Sequence, residues 1–438
     1  MQDNITKLAL DIGNGKIKAV LGELSTEGLK LKVLDYIESP SQGIKRSVVE
    51  DSDLLAETLK NVIKELEQRT GRDFERVSLG ISNDRILSKT DHGCIDFDEK
   101  EITDQDMVQL IDSVRNTIVS DDEIVIEEEI YNVRVNSSGI LKNPIGQVGK
   151  SLQGDVHFIT LKKEEANPLI ECVNKAGLEV EDMFLNASAS AKATLDTEDR
   201  QMGVALIDIG EGATDIAIYK NDKIIYTKSL SIGGMHFVND LSYLLKITKR
   251  EAKEILEKLR VKDYANGILT VEGKNYDVEE IKNIIDARTG DLINFISKTI
   301  EESGFNGYLG KGLAFTGGAV SIDEIFSKVG SKMECAVRKV APCPLRGLEE
   351  IDPAMSTVIG ILLNKLEMEF IKQKDRVDEE EVSKEEVESN LESFDSQESS
   401  EERSDFFRQE DFEEDFEEET DEANGALGKI KKWISNFI

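Results

Sequence analysis

The chain has 438 residues, 39% of them hydrophobic, and its 54 basic against 88 acidic residues leave a formal net charge of −34. That length predicts several domains, the modest apolar fraction predicts that part of the chain does not pack, and the charge argues against a nucleic-acid partner, because phosphate binding needs a positive footprint. No run of about 18 apolar residues offers a bilayer span, MQDNITKLALDIG lacks the regions of a signal peptide, and four scattered cysteines (Cys94, Cys172, Cys335, Cys343) read as thiols of a reducing cytoplasm rather than a zinc set.

The first feature along the chain is LALDIGNGKIKAVL, residues 8–21. An apolar strand leads into Asp-Ile-Gly-x-Gly, and a second β-branched strand follows. A Rossmann or Walker loop leads into a helix instead, so this segment predicts a β-hairpin whose tip turns backbone N–H groups toward an anion. Asp11, Gly13, Asn14, Gly15 and Lys16 are its candidate phosphate-site residues, with Lys16 in reach of a phosphate oxygen. Next, EITDQDMVQLIDSVRN predicts a helix with an apolar face of Met107, Leu110, Ile111 and Val114, and EIVIEEEIYNVRV predicts a strand.

Residues 205–219, ALIDIGEGATDIAIY, repeat the hairpin pattern at an offset of 197. One such motif is weak, since any tight turn welcomes glycine. Two copies predict related halves whose hairpins face each other across a cleft and grip one polyphosphate. Asp208, Gly210, Glu211, Gly212 and Ala213 join the candidate site. Asp11 and Asp208, at the strand ends, cannot both lie near phosphates without a cation, so Mg²⁺ held through water is expected. A third cluster, LAFTGGA with Thr316, Gly317, Gly318 and Ala319, follows a strand-like run and precedes the helix start Ser321-Ile322-Asp323-Glu324. It suits close approach of backbone to a base, ribose or α-phosphate.

The end of the chain is different in kind. Residues 372–424 hold 24 acidic and 6 basic residues, a composition expected to stay disordered. In the final GALGKIKKWISNFI, Leu427, Ile430, Trp433, Ile434, Phe437 and Ile438 fall on one face of a helix. Lys429, Lys431 and Lys432 flank that face. Twelve helical residues reach roughly 18 Å, too short to span a bilayer but suited to lying in its interface on anionic lipid.

Together these segments resemble the bacterial FtsA cell-division family of the actin/Hsp70/sugar-kinase superfamily. The resemblance extends through NPIGQVGKSLQGDVHFIT, ECVNKAGLEVEDMFLNASASA, LSIGGMHFVNDLSYLL, IIDARTGDLINFI, AFTGGAVSIDEI and DPAMSTVIGILL. It implies an α/β, actin-like fold of two lobes around a nucleotide cleft. Its parts would be domain 1A (1–84 and 161–200) with an inserted domain 1C (85–160), domain 2A (201–242 and 306–371, with a closing helix) with domain 2B (243–305), a disordered acidic linker (372–425) and a membrane-targeting amphipathic helix (426–438). The resemblance further implies ATP and Mg²⁺ as cofactors, with Gly233, Gly234, Glu254 and Lys258 at the nucleotide. It implies head-to-tail self-association, binding of the FtsZ C-terminal tail through Arg288 and Asp291, and recruitment of later division proteins through 1C at the cytoplasmic face of the membrane. Glu211 and Ala213 depart from the usual DIGGGTTD, and no residue is identified that would orient an attacking water, so at most a weak ATPase is expected. The alternatives are a small-molecule kinase of the superfamily and the actin-like adaptor of type IV pili.

Overall fold

The computed structural model describes residues 4–25, 30–319 and 324–374. It divides the chain into one unit of residues 1–365 and another of residues 366–437, of which 366–374 are described, as helix. The expected acidic linker and terminal amphipathic helix, with Leu427 through Ile438, lie outside the described residues.

The repeat seen in sequence governs the first unit. Ile5–Ile12 and Lys16–Ser25 form an antiparallel hairpin, and so do Val204–Ile209 and Thr214–Lys220. Both close with the same bond: Gly13 N–H donates to the Lys16 carbonyl at 3.1 Å, and Gly210 N–H to the Ala213 carbonyl at 2.9 Å. Each hairpin then builds a five-stranded sheet of the same plan. Its second strand pairs antiparallel with the next in sequence, Lys30–Pro40 or Lys223–Leu230. Its first strand pairs parallel with Arg76–Ile81 or Leu313–Thr316, and these pair in turn with Glu179–Leu185 or Val337–Lys339. The central strands are buried along nearly their whole length, so VALIDI and LAFT are apolar apart from Asp208 and Thr316.

Each sheet carries an insertion. In the first lobe, Leu87–Glu101, Glu123–Val135 and Val148–Lys162 form an antiparallel sheet with Val148–Lys162 in the middle. Helix Asp104–Ile118 packs on it through Leu110 and Val114, with Met107 and Ile111 partly buried alongside. Its start is capped: the N–H and Oγ1 of Thr103 both donate to Asp106 Oδ2 at 2.9 Å. Gly93 makes the close approach possible, because a Cβ there would lie 2.5 Å from Val114 and 2.7 Å from Leu110.

In the second lobe, helices Lys249–Arg260 and Val278–Glu302 pack on the hairpin Ile268–Val271/Lys274–Asp277, and helix Gly234–Leu244 packs on both of these helices. One core runs from Ile207 and Ile216 on the sheet through Phe237 and Leu241 to Ile285 and Ile293. Each such side chain contributes about 1.5–3 kcal/mol of burial. Below the cleft, helix Asn186–Thr194 meets residues 356–365. A Cβ on Gly360 would fall 1.7 Å from the Ala189 carbonyl oxygen, so this contact between backbones depends on small residues, as NASASAKAT supplies.

Candidate functional site

The two hairpin tips line a cleft of about 610 Å³. They interlock reciprocally. A Cβ on Gly212 would lie 2.4 Å from the Asn14 side chain, and a Cβ on Gly15 would lie 1.4 Å from Glu211 Oε2. Each tip therefore rests its variable residue on the last glycine of the other, which is a second reason for glycine at both places. Among the described residues, the backbone N–H groups of Asn14, Gly15, Glu211 and Gly212 donate to no protein group. These four donors, on two tips that line one cleft, are available to anionic oxygen.

Charged side chains lie beneath the tips. Asp11 pairs with Lys18 at 3.0 Å, and both are buried. Burial works against the lysine's charge, but Asp11 outweighs it and holds the Lys18 pKa above its ordinary value. Asp208 Oδ2 accepts from Ser190 Oγ at 2.5 Å and from Thr357 Oγ1 at 3.2 Å, one donor from each small-residue segment below the cleft. Burial raises the Asp208 pKa, opposed by Ser190 and Lys18. Its Oδ1 lies beside Gly317, where a Cβ would fall 2.3 Å away and where φ is +98°. Asp215 accepts from Ser82 Oγ at 2.6 Å, and burial, reinforced by Asp208 and Asp11, pushes its pKa up to about 7.

Lys18, Ser82, Ser190, Asp215 and Thr357 were not singled out from the sequence. Two of them carried a signal there: Lys18 and Asp215 stand at the same place in the repeat, opposite Asp11 and Asp208 respectively.

Of the residues expected at the site, the cleft brings together Asp11, Gly13, Asn14, Gly15, Lys16, Asp208, Gly210, Glu211, Gly212, Ala213, Gly234, Gly317, Gly318 and Ala319. Lys16 is exposed at the rim and paired with Glu38. The Gly234 N–H donates to the Gly210 carbonyl at 2.9 Å and the Ala319 N–H to the Ile209 carbonyl at 3.0 Å, so these two groups brace the second hairpin. Gly233, Thr316, Glu254 and Lys258 do not line the cleft. Thr316 is buried against Ser356 at 2.6 Å, and Glu254 pairs with Lys258 at 3.5 Å along one helix. From the second lobe's insertion the cleft is lined instead by Lys253, Leu256, Glu257, Tyr264, Lys282 and Ile285, with Lys282 over the Tyr264 ring at 6.0 Å.

Arg288 and Asp291 lie outside the cleft. Arg288 grips Asp240 of helix Gly234–Leu244 with two bonds, at 2.5 and 2.9 Å, and reaches Asp291 at 3.3 Å. The same helix ends in an exposed pair, Tyr243 at 82% and Leu244 at 55% exposure, beside a shallow groove with Lys246 and Lys249.

A duplicated sheet with facing hairpin tips over one cleft, and an insertion in each lobe, defines the actin-like class. Among solved structures, a type IV pilus biogenesis complex of PilM and PilN shares this fold, with a TM-score of 0.57 at 15% identity over 83% of this chain and 99% of that one. The family model of the cell division protein FtsA matches residues 205–360, and that of the type IV pilus assembly protein PilM matches residues 9–282. The FtsA of Pseudomonas aeruginosa is 26% identical over 82% of this chain and 89% of its own length. That of Borreliella burgdorferi is 26% identical over 88% and 96%, and that of Bacillus subtilis 25% identical over 83% and 84%. Over most of its length the chain is thus similar to the cell division protein FtsA.

Proposed function

We propose that the chain is an ATP-binding, polymerising adaptor that tethers FtsZ filaments to the inner face of the cytoplasmic membrane and helps recruit later division proteins through the inserted domain 1C. The observation that carries the nucleotide part is the reciprocal seating of the two tips, which brings four unspent N–H donors together at one cleft. The triphosphate would lie between them. Lys18 is the partner of Asp11 alone, and Asp208 beside them is held by hydroxyl groups, so a divalent cation fits the floor between the two carboxyl groups. No three His, Cys, Asp or Glu among the described residues are spaced to ligate a metal directly, so Asp11 and Asp208 would hold Mg²⁺ through water. The ion would supply charge neutralisation for the phosphates. Ser190 and Thr357 hold the Asp208 carboxylate in orientation, and Lys18 does so for Asp11.

Arg288, Asp291 and the exposed Tyr243–Leu244 end of the neighbouring helix form the surface for the FtsZ tail. No helix among the described residues is long and apolar enough to cross a membrane, and attachment is assigned to residues 426–438. Many weak anchors on one polymer make such attachment switch-like. The match to PilM over 9–282 supports a second reading, a pilus adaptor.

Co-flotation separates these readings: with ATP and anionic vesicles, the full chain should carry FtsZ to the lipid fraction, and a truncation ending near Gly425 should not. Flotation of the chain without FtsZ would favour the pilus reading. Equal flotation of both forms would remove the terminal helix as anchor.

A further inference from the structure

The two tips match in backbone but not in charge. Asn14 and Glu211 hold the same position in the repeat, and each covers the other tip's last glycine. Asn14 is neutral, and its Oδ1 accepts the Ser47 N–H at 3.0 Å. Glu211 carries a negative charge, held by the Lys253 Nζ at 2.8 Å. Lys253 comes from helix Lys249–Arg260 and itself lines the cleft. A carboxylate is thus seated against Gly15, among the N–H donors assigned to phosphate, with a lysine already beside it.

We propose that Glu211 is a tethered anion that competes with phosphate for the space between the tips, so that a nucleoside polyphosphate binds by exchange: the carboxylate withdraws from Gly15 and Lys253 passes from Glu211 to the incoming phosphate. The inference rests on the nucleotide reading of the cleft and adds a selectivity to it. Like charges at short range repel more strongly in a cleft than in bulk water, and a triphosphate brings more charge between the tips than a diphosphate. Glu211 therefore sets the ratio of affinities for the two, penalising the triphosphate more. Glycine at 15 is what lets the carboxylate reach this seat.

Equilibrium binding of AMPPNP and of ADP, each with Mg²⁺, to the full chain and to Glu211→Gln and Glu211→Gly tests this. Gln keeps the shape and removes the charge; Gly removes both. Both variants should bind AMPPNP on the order of tenfold more tightly, a change of about 1.4 kcal/mol, and ADP with a smaller gain. Lys253→Met should weaken AMPPNP in the Glu211 background. An unchanged AMPPNP-to-ADP ratio in both variants overturns the exchange while leaving nucleotide binding intact. Weaker AMPPNP binding in Glu211→Gln also overturns it, showing that the carboxylate aids the ligand. If neither nucleotide binds any form, the nucleotide reading fails and the exchange with it.

Discussion

Lys18 and Asp215 occupy one register position in two copies of the same hairpin, yet one is a cation and the other a carboxyl group that keeps its proton to about pH 7. Removing Lys18 leaves Asp11 buried without its partner, and breaking a buried pair in this way costs about 3–5 kcal/mol. Lys18→Met should therefore lower the unfolding midpoint in urea by a corresponding amount; a midpoint within error of wild type would contradict the buried pair.

Asp215 gives a pH signature. Unfolded, its carboxyl group titrates near the ordinary value of roughly 3.9, so between about pH 4 and pH 7 the folded chain binds the extra proton. Stability contributed by this group is full at the acid end and is lost as pH rises to about 7. Glu127, also raised by burial to about 7, adds a slope of the same sign. Thermal melts from pH 5 to 8 should show a shallower decline in Asp215→Asn than in wild type, with the Glu127 share remaining. Identical slopes would mean that Asp215 is already ionised in the folded chain. Lys18 did not stand out in sequence because KIKAVL presents two lysines in alternation, both of which suit the wet face of a strand. Burial alone separates the exposed Lys16 from Lys18.

Helices are the scale at which Arg288 acts, because it ties Val278–Glu302 to Gly234–Leu244 through Asp240. Its role at a partner surface and its role in joining two helices are therefore entangled. Arg288→Glu would set a third carboxylate beside Asp240 and Asp291 and leave Asp240 unpaired, a penalty of about 1–3 kcal/mol or more. A charge exchange separates the roles. Asp240→Arg combined with Arg288→Glu should recover most of the lost melting temperature, while binding of an FtsZ tail peptide, measured by fluorescence anisotropy, should stay lost. Recovery of both would make Arg288 a structural residue only.

Elements with a strong period were legible beforehand. The face Met107, Leu110, Ile111 and Val114 found its helix, and EIVIEEEIYNVRV its strand. The position of Val148–Lys162 at the centre of that sheet was not legible, since strand order depends on contacts distant in sequence. Lys253 was overlooked for a related reason: on the helix Lys249–Arg260, the pairing of Glu254 with Lys258 is local and visible in sequence, whereas Lys253 faces a hairpin tip 42 residues earlier.

For the whole molecule, interlocked tips mean that a ligand between them is held by both lobes. ATP at a hundredfold excess over its dissociation constant stabilises a folded chain by about 2.7 kcal/mol. Its addition with Mg²⁺ should raise a single melting transition and slow amide exchange at residues 13–16 and 210–213 together. Protection of one tip alone would place the ligand on one lobe. The bilobed plan was legible from two short repeats, but the matching strand order was not. The strands Leu313–Thr316 and Val337–Lys339 that complete the second sheet have four and three residues, too few to show a period.

A scaffold with twofold repetition has no inherent preference for which way round a guest lies. Here the repeat is broken at two equivalent places, lysine against aspartate on the floor and asparagine against glutamate at the tips, and both breaks leave the same half the less positive of the two. The molecule thereby acquires a polarity across its own pseudo-dyad, and an elongated anion that enters can lie favourably in only one direction.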